Sequence, residues 1–268
     1  MKDADPDGPP AAPHLAGFVV VIVRLVRHAT LLVEAGGARL LVDPMLDPAG
    51  ARPPIEGTPE PRPNPLVELP VAAEEVVAGV DAVLVSHLHA DHLDDAAVLL
   101  LRDRDVPVVG QPADAGTLRE RGLRDVRPVE ESLELGDLVI HRTGGRHGTG
   151  ALGDRLGPVS GFVVEAPGEP RLYVAGDTIW CEPVAEALRR HRPGVIVLNA
   201  GGARFLQGDA ITMTPDDVLA TAEAAPDAAV IAVHMEAINH CVVTRDDLRR
   251  ATGERVLIPA DGEVAWSD

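Results

Sequence analysis

Ser86-His87-Leu88-His89-Ala90-Asp91-His92 is the stretch on which the reading of this chain turns. It packs four candidate metal ligands closely together, and chance alone gives a His-x-His-x-Asp-His spacing in about one chain in a thousand of this composition. Imidazole and carboxylate without thiolate suit zinc or a similar borderline divalent ion. In an extended segment alternate side chains share a face, which predicts His87, His89 and Asp91 on one side and His92 on another. The apolar run 81–86 before it reads as a buried strand, and the apolar spacing of 93–101 after it predicts a helix. A turn between a strand's carboxyl end and a helix holds side chains firmly and opens on a cleft. An ordinary solvated turn is the plainer alternative, and four ligand-type residues in so short a span weigh against it.

One such segment cannot complete a metal site alone, so further ligands are expected from distant turns. His147 sits among glycines in Gly144-Gly145-Arg146-His147-Gly148-Thr149-Gly150, where the backbone is free to bring it inward. Asp177 follows a predicted strand in Ala175-Gly176-Asp177-Thr178, and His234 directly follows the apolar run 229–233. Each taken singly has a bland reading: a loop histidine, a turn cap, a core histidine. Four strand ends each delivering His or Asp is a pattern that capping does not explain.

The rest of the chain reads as one α/β domain. Runs 18–26, 31–34 and 39–42 predict strands, with Gly36-Gly37 as a hairpin turn. The proline-rich stretch 48–70 is a long loop, and long loops inside compact domains are often functional. Strands are further predicted over 106–109, 138–141, 159–166, 171–175, 195–198, 229–233 and 256–258. Helices are predicted over 112–121, 183–191, 215–224 and 245–252, the third announced by Thr214 before Pro215. Strands cluster early in each half and alternate with helices later, which favours two packed sheets with helices outside. Residues 1–16, with three aspartates and four prolines, read as a disordered leader before a domain over 17–268.

Composition narrows the function classes. The 268 residues carry 24 basic and 42 acidic side chains, a formal charge of −18, which argues against a nucleic-acid or anionic-membrane partner. Six aromatic residues leave an aliphatic core. Cys181 and Cys241 cannot make a disulfide framework and read as buried free thiols, so a reducing cytoplasm is the expected setting. No apolar stretch near the start reaches the roughly 20 residues of a membrane span.

Taken in order, His-x-His-x-Asp-His, a later His, Gly-Asp-Thr and a late His after a strand resemble the metallo-β-lactamase-fold hydrolases, over about residues 20–262. Arg27-His28-Ala29-Thr30, Leu41-Val42-Asp43-Pro44, Ile211-Thr212-Met213-Thr214-Pro215 and Val233-His234-Met235 are similar to the ascorbate-6-phosphate lactonase-like branch, with Arg27 where that branch has Gly. The resemblance implies a four-layer αβ/βα sandwich with the site at one edge. It implies two divalent ions, Zn2+ first with Mn2+ or Fe2+ as alternatives. His87, His89 and His147 would hold one ion, Asp91, His92 and His234 the other, and Asp177 would bridge them.

A water activated between two such ions attacks an electrophilic centre, with Asp91 orienting it and shuttling its proton. His240 is the candidate general acid. His28, Arg146 and Arg204 are candidate substrate contacts, and Trp180, Gln207, Glu236 and Asn239 lie near the motif segments. Asp43 and Asp94 are candidate partners for the outer histidine nitrogens. The expected reaction is hydrolysis of a small lactone, ester or amide, with a phosphodiesterase as the alternative. A non-catalytic metal-stabilised binding protein is the reading from a different class. The acidic charge disfavours a nuclease, and His89 stands where redox di-iron relatives usually carry Glu. A small-molecule substrate is expected, and a homo-oligomer is left open.

Overall fold

The structure, a computed structural model, describes residues 21–267, so the predicted leader 1–16 and the first residues of the predicted strand 18–26 lie outside the described residues. β1 (Ile22–Arg27), β2 (Thr30–Ala35) and β3 (Ala38–Val42) form an antiparallel meander. Its β2–β3 turn is Gly36-Gly37 with φ of 56° and 73°, the two left-handed positions that a tight hairpin requires. After β3 the chain changes habit. β4 (Ala82–Val85), β5 (Val108–Gly110) and β6 (Val126–Pro128) each add in parallel. α1 (Ala73–Val76), α2 (Asp95–Leu101) and α3 (Ala115–Glu120) occupy the crossovers.

The second half follows the same plan. β7 (Ser132–Leu135), β8 (Leu138–Gly144), β9 (Ser160–Glu165) and β10 (Leu172–Val174) are antiparallel neighbours. β11 (Val195–Asn199) and β12 (Ala229–Val233) then add in parallel. α4 (Gly150–Leu156) interrupts the meander, while α5 (Glu182–His191), α6 (Pro215–Ala224) and α7 (Arg245–Thr252) belong to the helical part. β13 (Val264–Ser267) returns to pair with β1. The result is a seven-stranded sheet, β13-β1-β2-β3-β4-β5-β6, and a six-stranded sheet, β12-β11-β10-β9-β8-β7.

Period-two alternation explains the layers. In β4, Ala82 and Leu84 enter the core between the sheets, whereas Val83 and Val85 face a second core shared with Val98, Leu101 and Leu118 of the helices. In β11, Val195 and Val197 face inward, and Ile196 and Leu198 pack against Val184, Val218 and Leu248. Both faces of these strands are dry, so they read as unbroken apolar runs. The four-layer αβ/βα sandwich is therefore observed. Three apolar cores fill its interfaces, with each buried Leu or Val contributing roughly 1.5–3 kcal/mol.

Some elements differ from expectation. The predicted strand 256–258 reduces to an isolated bridge between Leu257 and Ile231, while β13, which runs to the last described residue, takes the edge place beside β1. α4 was unexpected because Gly150 and Gly153 give it poor helix propensity. Among the described residues, no helix is long and apolar enough to cross a membrane.

Candidate metal centre

Every chemically distinctive turn lies at one edge of the sandwich. His87, His89, Asp91 and His92 follow β4; His147 follows β8; Asp177 follows β10; His234 follows β12. The connections are bent sharply where they leave the strands. His28, Asp43 and His234 directly follow β1, β3 and β12 with φ of 60°, 44° and 69°. Non-glycine residues rarely adopt this left-handed region, and such backbone cost persists where surrounding structure holds it for function. In this fold it turns three buried polar side chains out of the sheets towards a common point.

The segment after β4 does not stay extended. Backbone N–H groups of His92 and Leu93 both donate to the His89 carbonyl, so the chain turns there. His87 and His89 do share a side, with Nε2 and Nδ1 2.9 Å apart, but Asp91 turns away with His92. Three sets of ligand atoms result: His87, His89 and His147; Asp91, His92 and His234 together with His28; and His87, His92 and Asp177. Asp177 stands between the first two. Its Oδ2 lies 3.2 Å from His92 Nε2, 3.5 Å from His147 Nε2 and 4.0 Å from His87 Nε2, and its Oδ1 lies 3.2 Å from His234 Nε2.

The outer nitrogens decide what the inner ones offer. His92 Nδ1 donates to Asp43 Oδ2 at 2.8 Å, and His147 Nδ1 donates to the Ile211 carbonyl at 2.9 Å. Ser86 Oγ donates to Asp43 Oδ2 at 2.7 Å and therefore accepts from His87 Nδ1, 3.0 Å away. An acceptor at Nδ1 places the neutral ring's proton there and leaves a lone pair on Nε2. Three such lone pairs face a carboxylate. His92 Nε2 and His234 Nε2 are buried without a hydrogen-bond partner, although carboxylate oxygens stand 3.2 Å away. Lone pairs and carboxylate oxygens converging without hydrogen bonds fit a cation between them, and this donor set suits a divalent metal.

The electrostatics agree. Burial opposes ionisation of Asp177 and Asp91, yet neighbouring imidazoles, chiefly His234 and His92 for Asp177 and His92 and His28 for Asp91, hold both carboxyls well below their usual range. Burial likewise opposes charge on His92, but Asp177, Asp43 and Asp91 raise it well above the ordinary imidazole value. The point where these groups meet attracts positive charge. Burial pushes His28 and His240 down to about 4 and His234 to about 3, so these rings are neutral at pH 7.

A cavity of about 400 Å3 opens on this cluster. His89, Asp91 and His147 form its floor, and Pro53, Pro54, Ile55, Leu156, Phe205 and Ile238 supply apolar walls. His240 and Asn64 add polar edges. The proline-rich loop is thus the wall of the site. Asn239 fastens it: its side chain accepts from Asn64 Nδ2 at 2.7 Å and donates to Thr58 Oγ1 and the Glu60 carbonyl at 2.6 Å each.

Residues 38–235 match a family described as the β-lactamase superfamily domain. The UPF0173 protein YddR of Bacillus subtilis is 36% identical over 245 residues, covering 89% of this chain and 96% of the relative. A UPF0173 metal-dependent hydrolase of Azorhizobium caulinodans is 30% identical over 190 residues, covering 68% and 73%. The chain belongs to the UPF0173 metal-dependent hydrolases of the metallo-β-lactamase superfamily. An isothiocyanate hydrolase from Delia radicum gut bacteria has a similar structure, with TM-score 0.86 and 37% identity over 92% of this chain and 100% of that one.

For this UPF0173 hydrolase the sequence-expected substrate contacts need correction. His28 is wholly buried, 3.2 Å from Asp91, and is not among the side chains that line the cavity. Arg146 is exposed and borders a separate polar concavity on the glycine-rich loop, and the Arg204 side chain is exposed outside the cavity wall. Among the described residues Arg52 is the one arginine that lines the cavity; its Nε lies 2.9 Å from Asp47 Oδ2, while its Nη2 has no hydrogen-bond partner. Asp94 does not support a ligand histidine but caps α2, accepting from Ala97 N at 2.8 Å. Arg27, also wholly buried, donates to the carbonyls of Met45, Asp47 and Val67, which anchors the ends of the proline-rich loop. Both cysteines are half-buried rather than buried, and Cys241 Sγ lies 3.6 Å from His234 Nδ1. Sequence reasoning overlooked Ser86 and Asn199; Asn199 Nδ2 donates to Asp177 Oδ1 at 2.7 Å.

Proposed function

We propose that this hydrolase holds two divalent ions, zinc first, and hydrolyses a small electrophile with an apolar body, an isothiocyanate before a lactone or ester. His87, His89 and His147 would hold one ion and Asp91, His92 and His234 the other, with Asp177 between the two sets. Bound there, such ions would supply Lewis acidity that lowers the pKa of water and offsets negative charge in the transition state.

The chain's own residues do the rest. Asp91, ionised and fixed by His28, takes the proton of the attacking water and returns it to the departing nitrogen. For an isothiocyanate, water adds across the C=N bond to give a thiocarbamic acid. Its remaining acidic proton then moves to the nitrogen, the bond between that nitrogen and the central carbon breaks, and a primary amine and carbonyl sulfide leave. His240, neutral on the cavity wall with Nδ1 unpartnered, steadies the charge that develops on the substrate. The apolar walls exclude water and hold the substituent.

The observation that carries this reading is the cavity wall: six apolar side chains line it, and the charge of the lining arginine is offset by the Asp47 carboxylate 2.9 Å away. A phosphate would need unpaired cations there. The likeness to the isothiocyanate hydrolase supports the same choice. The test is metal-loaded protein assayed against 2-phenylethyl isothiocyanate, an apolar lactone and bis-p-nitrophenyl phosphate. Preferential release of phenylethylamine is expected. Preferential hydrolysis of the phosphodiester would overturn the assignment.

A further inference from the structure

A second concavity, about 660 Å3, lies beyond the active-site cavity, and Leu156 and Phe205 line both. These two side chains stand between an inner space at the metal cluster and an outer one bordered by Leu152 and Leu206. Leu206 is 68% exposed, more than any other large hydrophobic side chain among the described residues. Its exposure is held in place: Leu206 N donates to the Gly57 carbonyl at 2.7 Å, tying the 205–208 turn to the proline-rich loop. Gly208, at φ 100°, lets that turn close against Leu152, whose Cδ2 would stand 3.5 Å from a Cβ at this position. The outer space is therefore built by three segments that also wall the inner one.

We infer that the two spaces form one substrate trench, with the reacting group inside and an extended apolar tail passing between Leu156 and Phe205 onto Leu152 and Leu206. This rests on the small-electrophile reading and adds its substrate class: linear, amphiphilic electrophiles longer than the inner cavity holds. An open leucine on a flat surface needs no explanation, but one on a concave wall continuous with an active site gains by covering. The tail is apolar because Leu156, Phe205, Leu152 and Leu206 are. Arg155 and Gln207 at the outer rim leave its far end near water.

The experiment has a binding arm and a turnover arm. In the first, calorimetry with the metal-loaded protein compares 1-butanol and 1-octanol, inert probes of tail length. Each added methylene that enters the trench is expected to tighten binding about fourfold. Leu206→Asp, and the milder Leu206→Ser, should remove at least about tenfold of the octanol preference. Equal binding of both alcohols, or a preference untouched in both variants, overturns the trench. In the second arm, kcat/KM for octyl against ethyl isothiocyanate should show the same preference and the same loss. Octanol preference without any isothiocyanate turnover would sink the proposed reaction and keep the trench. Turnover without chain-length preference would sink the trench alone.

Discussion

His28 and Asp91 meet at 3.2 Å, Nε2 to Oδ2, with the histidine wholly buried and its ring against that of His234. A group expected at the substrate is instead a support for the carboxylate to which we assign the proton transfer. His28→Phe keeps a flat ring in the pocket and deletes the donor. We expect a folded protein with kcat or metal affinity lowered about 10–100-fold, the usual cost of losing such an outer contact. Unchanged kinetics and unchanged metal affinity would remove His28 from the account.

Asp91→Asn tests the carboxylate itself. The variant should fold and keep metal at the His87, His89 and His147 set while kcat falls by at least about 100-fold. Metal analysis and steady-state kinetics on one preparation check this. Full activity would disprove the role given to Asp91.

Asn239→Ala should release the wall of the cavity. Its side chain joins Asn64, Thr58, Ile55 and Glu60, and truncation leaves several buried groups unpaired. A loss of about 2–4 kcal/mol in urea unfolding is expected, with faster proteolysis within 52–66 and a raised KM. A variant as stable and as resistant as the parent would show that the loop is held by other means.

The fold was legible because strands buried on both faces, such as 82–85 and 195–199, cannot hide as amphipathic patterns. The ligand-type residues were legible because they concentrate at strand ends. What escaped was the orientation of side chains. His28 and Asp43 depend on left-handed φ values that no local preference announces. Arg27 looked like a departure in a glycine position, yet it reaches three carbonyls brought near only by the folded loop. Alternation failed at Asp91 because the chain turns after His89 instead of staying extended. Arg146 and Arg204 were selected by proximity in sequence, which says little about which side of a loop faces a cavity.

Acid should destabilise the metal-free protein through its neutral histidines. His28 and His240 are pushed down to about 4 and His234 to about 3, below the unfolded value of 6.5. At these three positions the unfolded chain then binds more protons, so their contribution is full above pH 6.5 and falls as pH drops towards 4, whereas His92, raised above 6.5, contributes with the opposite sign. Asp94, pushed up to about 6 by burial, works in the opposite sense between 3.8 and 6 and removes part of the slope. Urea unfolding of EDTA-treated protein from pH 7.5 to 4.5 should show the decline. His240→Gln should reduce its slope by up to about 1.4 kcal/mol per pH unit. An identical slope in the variant would contradict a buried, neutral His240.

Metal stoichiometry tests the central claim most directly. Protein stripped with chelator and titrated with Zn2+ should take up two equivalents, and His147→Ala should take up one with its fold intact. A single equivalent in the parent, or two retained in His147→Ala, would contradict a dinuclear centre divided between these two ligand sets across Asp177.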